Sequence, residues 1–230
     1  MGGRGTNAWR GTGGNVKLKF PGGNGKALPN ILSADKDMNL AGMTAKDDAG
    51  GFRYTSVQKT LDKLETEALK LDREELKIID DNGFVVAAVY GDKESVGLSL
   101  RAFREVKGKT FTHNHPRERD TINGGTFSPA DINSLKFGMK ELRASAREGT
   151  YSLKAKGNKQ DAKGFYDHMK KNKSKIERSM NVAGNKVRPQ DFSSKQKYTD
   201  AVFNAQMGAL SDWYAANAAK YGYQYTFTPR

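Results

Sequence analysis

The 230-residue sequence predicts one α/β domain on three observations. Runs with helical apolar spacing alternate with short β-rich runs, Asp81-Asn82-Gly83 marks a hairpin turn, and no internal repeat is visible. A chain of this length can bury one good core, or one core plus tails.

Residues 1–53 stand apart. They are glycine-rich (Gly2, Gly3, Gly5, Gly11, Gly13, Gly14) with scattered polar residues. Such a stretch cannot bury enough apolar surface to offset its ordering entropy, which predicts a flexible arm with a short ordered piece around Leu28–Leu32. These glycines do not form a phosphate loop, because no strand precedes them and no Gly-Lys-Ser/Thr opens a helix.

The domain itself spans 54–230. Val57, Leu61, Leu64, Ala68 and Leu71 have helical spacing and predict a helix ending near Asp72. Leu76–Asp80 and Phe84–Tyr90 read as two strands joined by the Asn-Gly turn, which suits positive φ. Val96–Leu100 reads as a third strand, Ala102–Val106 as a short helix and Thr110–Asn114 as another strand. Ser128 opens a helix with Pro129 at its first position, and Ile132, Leu135, Met139 and Leu142 form its apolar face. Tyr151–Leu153 is a brief strand. From Phe192 onward Tyr198, Val202, Ala205, Leu210 and Trp213–Tyr214 make a helical stripe, Gly222 breaks it, and Tyr223–Thr228 alternates like a last strand.

The chemistry concentrates at Thr112-His113-Asn114-His115-Pro116 and Ser128-Pro129-Ala130-Asp131. On a strand, residues i and i+2 share a face, so His113 and His115 present two imidazoles side by side. Asp131 supplies an oxygen as third ligand. Zinc accepts this nitrogen and carboxylate mix, and a catalytic zinc keeps a fourth position open. Two of the chain's three histidines lie here, while His168, among Asp167, Lys170 and Lys171, reads as a surface residue. Taken alone, Ser128 and Asp131 are also a good helix-capping pair, and the two roles coexist. Asn114 is expected to tune the strand end or to bond nearby backbone. The literal His-Asn-His matches HNH nucleases in letters only, since that family spreads its three residues over a ββα unit, and a nuclease using this site is a weak third option.

The pattern His113-x-His115-Pro…Ser128-x-x-Asp131 resembles the JAMM (MPN-domain) metalloprotease signature, in the His-Asn-His-Pro form of RadC-like and phage-type members. The resemblance covers roughly residues 57–145 in element order and implies a central mixed β-sheet flanked by helices. It further implies that His113, His115 and Asp131 bind zinc, that an upstream glutamate is the general base, and that Ser128 stabilises an oxyanion. Twelve residues, Pro116 to Phe127, separate His115 from Ser128, more than is usual in that family. The extra loop either faces a substrate or moves Asp131 away from the histidines.

The base comes from the segment entering the first long strand, where Glu74 and Glu75 compete. Glu74 shares a face with Leu76 and Ile78, whereas Glu75 shares one with Lys77, which marks a wetter face. A base poised by partial burial favours Glu74.

The net charge of +13 favours anionic partners. Residues 154–197 hold thirteen Lys/Arg against four Asp/Glu, or +9 of that total. Lys170, Lys171, Lys173, Lys175 and Arg178 are candidates for nucleic-acid phosphate contact, against the plainer reading of a solvated helix face. With no cysteine, disulfides, thiolate metal sites and cysteine nucleophiles are excluded. No apolar run approaches a membrane span and Met1-Gly2-Gly3-Arg4-Gly5 lacks a secretory apolar stretch, so a soluble intracellular or particle-associated protein is expected. The Gly-Gly-Arg-Gly start and the His-Asn-His-Pro form resemble proteins of phages and bacterial mobile elements, and that resemblance implies the bacterial host cytoplasm or a phage particle. Two functions follow. One is a zinc-dependent hydrolase acting on a protein or peptide substrate at a peptide or isopeptide bond. The other is a catalytically inactive scaffold of the same type, acting through its basic surface on nucleic acid or within a phage particle.

Overall fold

The computed structural model describes residues 45–46, 52–53, 56–91, 96–98, 100–116 and 125–230. The expected arm lies outside the described residues except for two short strands, β1 (Ala45–Lys46) and β2 (Phe52–Arg53). These two pair with each other, and Phe52 pairs with Val85, so part of the segment expected to be a free arm is edge strand instead. The expected ordered piece at Leu28–Leu32 lies outside the described residues.

Ser56 caps α1 (Val57–Ala68), its Oγ accepting the Lys59 N–H at 3.2 Å. β3 (Glu75–Ile79) and β4 (Val85–Tyr90) form the expected antiparallel hairpin. Asp80 Oδ1 accepts the N–H groups of Asn82 and Phe84, and Gly83 turns at φ +86°. A Cβ at Gly83 would stand 3.1 Å from the Val57 nitrogen, so glycine serves both the turn and the approach of α1.

Two expectations fail next. Val96–Leu98 forms no strand, and the chain enters α2 at Leu100, running to Glu105. After β5 (Thr110–Asn114), α3 covers only Pro129–Ser134, followed by a 3₁₀ turn at Leu135–Phe137. Gly138 ends that turn at φ +76°, and Leu142 belongs to a strand, β6 (Glu141–Ala146). The apolar spacing from Ile132 to Leu142 mixed two elements that bury side chains against the same core. β7 (Gly149–Ala155) exceeds the brief strand expected. The basic segment folds into α4 (Ala162–Lys171) and α5 (Lys173–Asn185), and α6 (Lys195–Asn217) begins behind a Ser194 cap, not at Phe192. β8 (Tyr223–Pro229) closes the fold.

The strands form one mixed sheet in the order β1-β2-β4-β3-β5-β6-β7-β8. Every pairing is antiparallel except β5 with β6. A parallel pair needs a crossover, and α3 lies within it. The main core fills one face of the sheet: Leu76, Ile78, Phe111, Leu142 and Leu153 pack with Ile132, Phe165, Met207 and Tyr214 from the helices. On the other face α1 packs Leu61 and Leu64 against Ile79 and Val85. No helix among the described residues is long and apolar enough to cross a membrane.

Candidate metal centre

The centre sits where the carboxyl end of β5 meets the amino end of α3. Open α/β sheets place ligands at such strand ends. His113 lies in β5, and the His115 N–H extends the pairing by donating to the Ser145 carbonyl at 2.8 Å. Both imidazoles lie on the same face, with ring centroids 4.7 Å apart. Asp131 arrives from α3, fixed by a reciprocal capping box: Ser128 Oγ accepts the Asp131 N–H at 3.2 Å, and Asp131 Oδ2 accepts the Ser128 N–H at 2.7 Å. The cap therefore orients the carboxylate. The long loop does not displace it.

Three ligand-type atoms converge. His113 Nε2 and His115 Nε2 are 2.9 Å apart, His113 Nε2 is 3.1 Å from Asp131 Oδ1, and His115 Nε2 is 3.6 Å from Asp131 Oδ2. Ligands about 2.0–2.1 Å from a tetrahedral zinc lie about 3.3 Å from one another. The observed separations bracket that value. Three electron-rich atoms packed this closely repel one another unless a proton or cation lies among them, so the donor set fits a metal ion. No other such group of His, Asp or Glu occurs among the described residues.

Supporting contacts set the imidazole of His115. Its Nδ1–H donates to the Gly125 carbonyl at 2.9 Å, which leaves Nε2 to face the centre. Gly125 adopts φ +95°, and a Cβ there would meet Met207 Cγ at 2.6 Å. The returning loop is anchored further by Tyr214, whose hydroxyl donates to the Phe127 carbonyl at 2.7 Å, and by a 3.0 Å bond between Thr126 Oγ1 and the Tyr225 hydroxyl. His113 Nδ1 is buried and meets no partner among the described residues.

Glu74 stands beside this cluster. The register pairs Leu76 with His113, and two residues further along it brings Glu74 level with His115. Burial is the largest influence on the Glu74 carboxyl and raises its pKa above the usual range, with the two histidines partly opposing. Burial also works against the His115 imidazolium, but the Asp131 hydrogen bond and charge outweigh it and lift His115 to about 9. Asp131 is the converse case: burial pushes it up, and His113 and His115 pull it well below the ordinary carboxylate range.

Glu75 points elsewhere. It bonds Lys77 Nζ at 2.5 Å beneath α1, and Lys77 is only 7 % exposed. The expectation that Lys77 marks a wetter face is wrong, because α1 covers that side of β3. Asn114 also lies on that side. Its Oδ1 accepts the Glu75 N–H at 2.6 Å, and its Nδ2 donates to the carbonyls of Ala68 and Arg73 at 2.9 and 3.0 Å. Asn114 thus ties the strand of the histidines to the connection that presents Glu74. The expected backbone bonding of Asn114 gave no hint of that reach, because its partners lie about forty residues earlier in the chain.

His168 is not simply a surface residue. It is half-buried on α4 and stacks on Trp213 at 5.7 Å, remote in sequence from the centre. Lys170, Lys171, Lys175 and Arg178 are exposed near the junction of α4 and α5, and Lys173 lies 3.9 Å from Glu177. Comparisons with known protein families, with curated proteins and with solved structures find no match to this chain.

Proposed function

We propose that the chain is a zinc-dependent hydrolase of peptide or isopeptide bonds, with a JAMM-like arrangement of its site. The convergence of His113, His115 and Asp131 carries this reading. These three residues would hold the ion, which when bound supplies Lewis acidity and lowers the pKa of a coordinated water. Glu74 is the acid–base group. Burial raises its pKa above the usual carboxylate range, which favours proton uptake, and in this role it takes a proton from attacking water and returns it to the leaving amine. Ser128 Oγ accepts a backbone N–H, which leaves its own proton to donate toward a developing oxyanion. The resemblance of the sequence pattern to JAMM proteases supports the same assignment.

The test incubates zinc-loaded chain with a diverse pool of peptides and of lysine-linked isopeptides and reads new termini by mass spectrometry. Cleavage by the wild type should fall by about a hundredfold or more in Glu74→Gln, which keeps the side chain's shape but cannot accept the proton. No cleavage by the zinc-loaded wild type, or undiminished cleavage by Glu74→Gln, contradicts hydrolysis. In the first case the alternative scaffold reading takes its place, and the exposed cations of α4 and α5 are its candidate contact surface for nucleic acid.

A further inference from the structure

Between the later part of α5 and the first half of α6 lies a cavity of about 450 Å³. Small-molecule sites typically occupy roughly 300–1,000 Å³. Asn181 and Asn185 line it from α5, Arg188 and Gln190 from the following turn, and Tyr198 and Gln206 from α6. The cavity shares no residue with the His113–His115–Asp131 centre.

Gln206 is the informative residue. It is 6 % exposed, yet its carboxamide makes no hydrogen bond to any described residue. Its amide atoms reach the cavity surface, since His113 Nδ1 is the one fully buried side-chain N or O atom without a partner among the described residues, so a group entering the cavity can bond to them. Gly184 on α5 makes room for it: a Cβ there would stand 3.0 Å from both Cγ and Nε2 of Gln206. Helix α5 therefore gives up a side chain at the one place where the carboxamide lies against it.

The lining chemistry narrows the ligand. Four carboxamides, one guanidinium and one phenol face the cavity, and no carboxylate does among the described residues. Carboxamides match the adjacent donor and acceptor of a nucleobase edge. A guanidinium pairs with phosphate through two parallel bonds, and Tyr198 adds an aromatic ring to the lining. The surrounding segment, at +9, favours an anion. We propose that this cavity is a nucleotide-binding site. It takes a nucleoside monophosphate, free or as one unit of a single strand, with the base toward Gln206 and the phosphate toward Arg188.

The test titrates the full chain by calorimetry with AMP, GMP, CMP and UMP separately, and with a short mixed-sequence single-stranded oligonucleotide. Wild type, Gln206→Leu and Arg188→Ala are compared, with circular dichroism confirming the fold of each. Saturable binding should occur with at least one probe and weaken about tenfold or more in each folded variant. Binding of a mononucleotide assigns the site to a free ligand, and binding of the oligonucleotide alone assigns it to a strand. Arg188 is exposed, so its replacement reports on the site even if Gln206→Leu does not fold. Absence of saturable binding by every probe, or binding left within about twofold by either folded variant, overturns the proposal.

Discussion

His115 and Asp131 hold each other's charge, and that pairing has a pH signature. In the metal-free chain the His115 imidazolium is favoured over its ordinary value of 6.5, up to about 9. A group whose folded pKa is raised contributes stability that is fully present below its unfolded pKa and is lost as pH rises through the folded value. In chelator, the melting temperature of the wild type should therefore exceed that of His115→Gln most at pH 6.5 and below. The gap should narrow as pH passes about 9. A gap that widens with pH contradicts the pairing. At this scale the sequence was legible where spacing is local: His113 and His115 share a face because strands alternate, and Ser128 caps Asp131 because the two lie three residues apart. The partners of Asn114 and the Gly125 carbonyl that bonds His115 were not, since each depends on how distant segments return.

Elements were legible where one periodicity ran unbroken, as in α1 and the β3–β4 hairpin. They were misread where two elements bury apolar residues in succession, as from α3 to β6, and where polar residues are buried in pairs. The face beneath α1 is the clearest example. Glu65 is 3 % exposed and accepts two bonds from Arg143, at 2.6 and 3.1 Å, with Thr112 and Thr150 completing its coordination. Burial opposes the Arg143 charge, but Glu65 and Glu141 more than compensate. This network docks α1 on β5, β6 and β7 through charge rather than apolar area. Removing one partner of a buried pair costs about 3–5 kcal/mol, because the other charge stays buried without compensation. Glu65→Ala should lose about that much in urea unfolding, and a Glu65→Leu/Arg143→Met double variant should recover most of it. Equal losses in both variants would mean that the network does not behave as an ion pair.

On the scale of the whole molecule, charge and chemistry occupy different parts of the chain. The basic segment folds as α4 and α5, whereas the candidate metal centre belongs to the end of β5 and to α3, with Glu74 just ahead of β3. Reversing Lys170, Lys171, Lys173 and Lys175 to Glu should weaken nucleic-acid binding and flatten its dependence on salt, as expected for phosphate contacts. Metal content should not change. Binding that is equally strong and insensitive to salt after the reversal would reduce the segment to a solvated face. The α/β class could be read from the alternation of elements, but the mixed sheet's single parallel pair could not, because strand order is fixed by packing and not by local pattern. Asp131 lies in the crossover between these two parallel strands, and metal binding depends on its convergence with the histidines. The most direct measurement is metal content by mass spectrometry of chain purified without added metal and then equilibrated with zinc and dialysed. About one zinc per chain is expected for the wild type and none for His113→Ala/His115→Ala. Zinc at full stoichiometry in the double variant, or none in the wild type, would contradict metal binding at these residues.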